Sequence, residues 1–233
     1  MKKNKPILSF LIPSRGRFNY LCDAIISIVE NSSDSNKIEI LIKFDDDDFD
    51  SLSKLSKLPY KENIKIIIYS RGDGYGSLHH FQNDLYKISS GNWILSFSDD
   101  AIMKTKNYDL LFNNLPIDVP FAVMYSEGNN HAGDIFPGIN RKYCEVQGDF
   151  FSASAYSDGH IWYTIKKLNN YTILPVTIFH IIEDVGKDNT LLDKEKFQRD
   201  GYVNPGDSWA VSINDVHSSY EKIKNFFINK SIK

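Results

Sequence analysis

The chain has 233 residues, enough to bury one substantial core, and its 42% hydrophobic share is that of an ordinary globular protein rather than a disordered or membrane-embedded one. With 27 basic and 30 acidic residues the formal charge is −3, which leaves no electrostatic footprint for nonspecific binding of nucleic acid. Two cysteines, Cys22 and Cys144, are too few for a disulfide framework or a cysteine-based zinc site.

Residues 7–12, ILSFLI, read as a first buried strand, stopped by Pro13. This run is too short and too soon charged for a signal peptide, and no apolar stretch nears a membrane span, so a cytoplasmic protein is expected. The loop SRGR follows, with two arginines, and Leu21, Ile25, Ile28 and Val29 then recur at helical spacing, with Cys22 in the same pattern as core. Residues 38–44, IEILIKF, form the next strand and end in Asp45 to Asp48. A third strand over 64–69 ends at Ser70, Arg71 and the loop GDGYG, whose glycines 72, 74 and 76 suit a turn. Ser77 is placed to cap a helix with Leu78, Phe81, Leu85 and Ile88 on one face, and Gly91 to stop it. His79 and His80 are adjacent in that helix and are expected to point to different faces.

Next comes the apolar run from Trp93 to Phe97, which reads as a strand buried on both faces and stops abruptly at Ser98, Asp99 and Asp100. Two adjacent carboxylates at the edge of a core repel each other, and burying them unpaired costs on the order of several kcal/mol. A bound cation would resolve the conflict, and hard oxygen ligands suit Mg²⁺ or Mn²⁺, which share coordination with substrate phosphates. Taken alone, the pair fits a solvated acidic turn at least as well.

The alternation of strand and helix is that of a doubly wound α/β sheet, whose ligands bind outside the carboxyl ends of the strands. Four strand ends in succession carry polar groups: Ser14 and Arg15, Asp45 and Asp46, Arg71, then Asp99 and Asp100. Past residue 104 a short helix is expected over 108–115, a strand over 121–126 and a glycine-containing loop over 127–150. A helix starts near Asp158 with Ile161, Ile165 and Leu168 inward. Residues 171–179 form a strand that Pro175 marks as an edge, and His180 stands at its end. A polar segment over 183–207 closes with the turn signal NPGD, and a last helix runs from about Val216 through Tyr220, Ile223 and Phe227. One domain is expected, with residues 1–104 as its ligand-binding half and 105–233 as a second half facing an acceptor.

In this order the elements resemble the GT-A glycosyltransferases, particularly the large inverting, family 2-like group that uses nucleotide-diphosphosugar donors. The resemblance rests on IPSRGR, on the acidic end of ILIKFDDDD, on RGDGYG leading into a helix, and on LSFSDD where that group has its DXD-type metal motif. It extends to YSDGHIWYTIKKLNNYTILPVTIFH, a carboxylate opening a helix, then a strand, then a histidine. The resemblance implies a GT-A doubly wound mixed sheet, and hexosyl-type transfer from a UDP- or GDP-linked donor to a glycan or other hydroxyl acceptor, assisted by Mn²⁺ or Mg²⁺. It would set Pro13, Ser14 and Arg15 along the base and ribose, Asp45 (or its neighbour Asp46) on the pyrimidine ring, and Arg71 on the nucleotide or phosphates. Asp99 would face the sugar or ribose, Asp100 and His180 the metal, and Asp158 would be the catalytic base. Two features depart from the group: the metal motif begins with Ser98 rather than Asp, and the base sits beside Ser157 rather than in a Glu-Asp pair.

The alternatives are a sugar-phosphate nucleotidyltransferase, which the short SRGR with its single glycine disfavours, and a module that binds a nucleotide-sugar without turning it over. Asp158 could equally be a helix-opening residue favoured by the dipole, and His180 a hydrogen-bonded surface histidine. His160 is a candidate on the acceptor side, while Tyr125, Trp162 and Trp209 could stack on a sugar, although regular spacing favours core packing.

Overall fold

The computed structural model describes residues 6–72, 77–128, 136–151, 157–181 and 205–231, with 127–128, 157, 205–216 and 231 described by backbone alone. Residues 73–76, with most of GDGYG, residues 129–135 of the expected loop, the segment from 182 to Asn204 and the Trp209 side chain lie outside this description.

Eight strands form one mixed sheet: β1 (Leu8–Ser14), β2 (Ile38–Asp45), β3 (Ile64–Tyr69), β4 (Trp93–Ser96), β5 (Ala101–Met103), β6 (Ala122–Gly128), β7 (Gly138–Asn140) and β8 (Tyr171–His180), in the order β3-β2-β1-β4-β7-β6-β8-β5. Strands β1 to β4 pair in parallel; β7 is antiparallel to β4 and to β6, and β8 is parallel to β6. Two reversals cancel, so β8 points the same way as β1. The ends of β1, β2, β3, β4 and β8 therefore share one carboxyl edge.

Alternation along the strands divides the core between two faces. On one, Phe10, Ile12, Ile40, Ile42, Trp93, Leu95, Leu174 and Val176 pack against Leu21, Ile25 and Ile28 of helix α1 (Phe18–Glu30). On the other, Leu11, Leu41, Ile94 and Met124 meet Leu85 of α3 (Leu78–Ile88), Tyr143 of α4 (Arg141–Gln147), Ile161 and Ile165 of α5 (Ser157–Leu168) and Ile223 of α6 (Pro205–Ser231). A short helix α2 (Phe49–Ser53) follows β2. Among the described residues no helix is long and apolar enough to cross a membrane.

Several expectations are corrected. The first strand runs past Pro13 to Ser14, because β4 has left it by then; the last β1–β4 pair is Leu11 with Ser96, so the proline costs no ladder bond on that side. The expected loop over 127–150 contains β7 and α4, the latter capped by Asn140, whose Oδ1 accepts from the Tyr143 amide at 2.8 Å. The helix from 108 is a 3₁₀ segment ending at Phe112. Pro205 opens the last helix, a position where its missing amide is harmless, rather than closing a turn. Strand β8 lies between β6 and β5; only its carboxyl end, Ile178 to His180, meets β5, and Pro175 falls at an irregularity in the pairing with β6.

Gly91 is not the stop of α3, which ends at Ile88 with Ser89 as its cap. Its reason is close approach: a Cβ there would lie 2.4 Å from Ser9 Oγ and 3.0 Å from the backbone of Leu8 and Ser9. Its amide donates to Ser9 Oγ and to Glu39 Oε1, each at 2.9 Å.

Candidate active site

The loop between β1 and α1 organises the carboxyl edge. It turns sharply at Gly16, whose φ of 68° lies in the left-handed region that favours glycine. Ser14, the last residue of β1, and each of the three loop residues address a carboxylate. Ser14 Oγ donates to Asp99 Oδ2 at 2.8 Å, Arg15 Nη1 to Asp45 Oδ2 at 2.9 Å, the Gly16 amide to Asp48 Oδ2 at 2.8 Å, and Arg17 Nη1 to Asp100 Oδ2 at 2.5 Å. Residues that are distant in sequence are thus tied at one point by charge-assisted bonds.

The acid pair sits in the turn between β4 and β5. Asp99 is fully buried and Asp100 is 8% exposed. Beyond Ser14, Asp99 is held by Arg17 Nη2, 3.0 Å from its Oδ1. Asp100 Oδ1 accepts from Ser98 Oγ and lies 3.0 Å from His180 Nε2. The antiparallel pairing of β5 with β8 makes this contact: Ala101 is in register with His180, and the Ile181 amide donates to the Asp100 carbonyl at 2.8 Å. Burial alone would push the Asp100 carboxyl up, but His180, Arg17 and Ser98 together hold it below the usual carboxylate range.

A second cluster surrounds Asp45. Besides Arg15, it receives Lys43 Nζ on Oδ1, and Arg71 Nε lies 4.0 Å from Oδ2. Lys43 is 1% exposed, with its ammonium 3.7 Å from the centre of the Phe81 ring of α3. Burial draws its pKa down, and Asp45 opposes that shift. Asp47 also binds Arg15, and Asp48 caps α2 by accepting from the Ser51 amide at 3.3 Å. Asp46 is exposed, and its amide donates to the Tyr69 carbonyl at 3.2 Å. Asp45 is thus the gathered member of the acidic run.

Helix α5 ends two residues before β8 begins, and Asp158 lies in its first turn. Burial pushes the Asp158 carboxyl up, partly offset by backbone amides of its own turn. His160, two residues on, is buried, and Tyr125 is core. Trp162 is half-buried under Lys166, whose Nζ is 4.0 Å from the ring centre. His79 and His80 do not diverge as expected: their rings lie 3.9 Å apart and both line a hollow of about 380 Å³ with Asn83, Asp149, Ser218 and Lys222.

Among the described residues no three His, Cys, Asp or Glu side chains gather as a metal cage. Asp100 with His180 offers one hard oxygen and one imidazole nitrogen. That donor set fits Mn²⁺ or Mg²⁺ sharing its coordination with phosphate oxygens and water.

Of the expected site residues, the structure joins Ser14, Asp99, Asp100 and His180 in one cluster and Arg15, Asp45 and Arg71 in another, while Pro13 pairs with Lys43 in the β1–β2 ladder. Sequence reasoning missed Arg17 and Lys43. A lysine inside an otherwise apolar strand, and a second arginine two residues after the first, were the available signals.

No family model matches the chain, and no curated protein does. The likeness to solved structures is clear in backbone. S. aureus TarS 1–349 in complex with UDP gives a TM-score of 0.57 at 13% identity, covering 77% of this chain and 62% of that one. The mannosyltransferase PcManGT from Pyrobaculum calidifontis, in complex with GDP-Man and Mn²⁺, gives 0.60 at 13% identity, covering 94% and 70%. TarS 1–349 in complex with UDP-GlcNAc gives 0.56 at 14% identity over 75% and 59%. The chain thus spans less than two thirds of the length of either liganded TarS structure. The shared architecture is the mixed α/β sheet of GT-A-type glycosyltransferases.

Proposed function

We propose that this chain, with its GT-A fold, is a glycosyltransferase that moves a hexosyl-type sugar from a nucleotide-diphosphosugar to an acceptor hydroxyl, with inversion and with help from a divalent cation. The observation that carries the reading is the SRGR loop, which ties Asp45, Asp48, Asp99 and Asp100 together at the carboxyl edge, with His180 on Asp100. The neighbours bound to UDP, UDP-GlcNAc and GDP-Man support a UDP- or GDP-linked donor.

In this reading Asp45, oriented by Arg15 and Lys43, accepts from the base, with Pro13, Ser14 and Arg15 lining the nucleoside and Asp46 at its margin. Arg71 offers its guanidinium to the nucleotide or its phosphates. Asp99, fixed by Ser14, faces the ribose or donor sugar. Asp100 and His180 would hold Mn²⁺ or Mg²⁺, which when bound acts as a Lewis acid on the diphosphate leaving group. Asp158 takes the proton of the acceptor hydroxyl as that oxygen bonds to the anomeric carbon and the bond to the diphosphate oxygen breaks; one displacement inverts the centre. A carboxyl whose pKa is raised by burial is the stronger base for that task. The acceptor is a glycan or another hydroxyl compound bound beside α5.

A panel of nucleotide-sugars incubated with the protein and Mn²⁺, and read by mass spectrometry, tests this. One donor is expected to release its nucleoside diphosphate by slow hydrolysis or transfer. Turnover of none, under conditions where the protein remains folded, overturns the reading.

A further inference from the structure

Arg17 has no part in the roles above, yet it is paired with both members of the acid pair. Its guanidinium spans both carboxylates, Nη1 at 2.5 Å from Asp100 Oδ2 and Nη2 at 3.0 Å from Asp99 Oδ1. The other oxygens are also engaged, Asp99 Oδ2 by Ser14, and Asp100 Oδ1 by His180 and Ser98. The chain therefore supplies, from its own first loop, a cation for two adjacent carboxylates that would otherwise be buried together.

Of Arg17, His180, Asp99 and Asp100, Arg17 has the most exposed side chain. Asp99 has no exposed surface, whereas the Arg17 side chain is 29% exposed, long, and rooted in the residue just before α1. An arginine fork also suits the task in a second way, since a diphosphate offers it bidentate acceptors equivalent to the carboxylates it would leave.

We propose that Arg17 is a built-in counter-cation that competes with the divalent ion for Asp100. Metal alone then binds weakly, because it must displace a charge-assisted bond and settle beside a guanidinium. Resting on the glycosyl-transfer reading, a nucleoside diphosphate relieves this by accepting the guanidinium, so that metal and nucleotide load together. Arg17 is in this sense a positioning residue, acting through Asp100.

The test is Mn²⁺ binding, followed by the electron paramagnetic resonance signal of the free ion, for the wild-type chain, Arg17→Gln and Arg17→Lys, first without nucleotide and then with UDP or GDP. Without nucleotide, Arg17→Gln should bind Mn²⁺ about tenfold tighter than wild type, within the usual range of coupling between sites. Arg17→Lys, which keeps the charge, should stay near wild type, and adding Asp100→Asn to Arg17→Gln should abolish the gain. Arg17→Gln binding Mn²⁺ no more tightly than wild type overturns the proposal, whatever nucleotides do. A gain in Arg17→Gln with no nucleotide effect in any variant upholds competition by Arg17 and instead refutes the donor reading. Should Arg17→Gln fail to fold, the Arg17 Nε–Hε NMR signal of the wild-type chain decides: it moves as Mg²⁺ saturates the protein, and a signal unmoved at saturation overturns the proposal.

Discussion

Glu39 allows the electrostatic logic of this fold to be tested away from the site. It lies early in β2, 6% exposed, near the amino edge of the sheet. Its Oε1 accepts from Ser9 Oγ at 2.5 Å and from the Gly91 amide at 2.9 Å, and also from the Ser90 amide; its Oε2 accepts from Ser90 Oγ at 2.9 Å and Lys65 Nζ at 2.8 Å. This one carboxylate stitches β1, β2, β3 and the entry to β4. Burial would raise its pKa, but these donors outweigh burial and bring it below the ordinary glutamate value.

Glu39→Ala strands the buried Ser9 hydroxyl and Gly91 amide, while Lys65 and Ser90 keep access to solvent. The loss is on the order of 3 to 5 kcal/mol, from about 1 to 3 kcal/mol for each stranded donor together with the lost charge-assisted bonds. At roughly 2 to 4 °C per kcal/mol for a chain of this size, Tm should fall by about 6 to 20 °C. Glu39→Gln, which keeps the shape and one acceptor, should lose less. A group with a depressed folded pKa contributes stability that is present above its unfolded pKa and lost as pH falls through the folded value. The gap between wild type and Glu39→Ala should therefore be full at neutral pH and narrow below about pH 4. Scanning calorimetry at several pH values reads this directly. A gap under about 2 °C at neutral pH, or one that does not narrow in acid, would refute the reasoning.

Other outcomes follow from the same geometry. Gly91→Ala should cost about 1 to 3 kcal/mol in chemical denaturation, because the new methyl meets fixed backbone of β1 as well as Ser9 Oγ; a neutral substitution would show that the close approach is not real. Asp100→Ala should abolish metal-dependent nucleotide binding by calorimetry, while Asp158→Ala binds normally and loses transfer; unchanged turnover in the second variant would show the base to be misplaced. The raised pKa of Asp158 carries a pH signature: the acid limb of kcat should lie above the ordinary carboxylate range. By the sign of that shift, ionised Asp158 destabilises the fold, so Asp158→Asn should raise Tm at neutral pH and lose that advantage in acid.

Much of this was legible in the sequence because parallel strands buried on both faces are read from continuous apolar runs: ILSFLI, IEILIKF and WILSF each mark a strand in place. The coincidence of polar groups at strand ends located the edge as well. What escaped was short or carried by pairing. Strands β5 and β7 have three residues each, too few for any period, and exist because β8 and β4 supply their partners. The cap of α4 was visible as Asn140 followed three residues on by an amide it could accept, yet the glycines nearby suggested loop. Glu39 and Lys43 share one parity in β2 with Asp45, and that alternation of charge within a buried strand marked a polar network the apolar pattern concealed. Arg17 was the costliest omission. Only the fold brings it to Asp99 and Asp100, more than eighty residues away.

The most direct measurement is the thermal stability of the wild-type chain with UDP or GDP, each with and without Mn²⁺. Ligand that binds only the folded state raises stability by about 2.7 kcal/mol at a hundredfold excess over Kd, a shift of several degrees. One of the two nucleotides should raise Tm when Mn²⁺ is present, and should do far less without it. No response to either nucleotide, with or without the metal, would contradict the assignment of this edge as a nucleotide-diphosphosugar site.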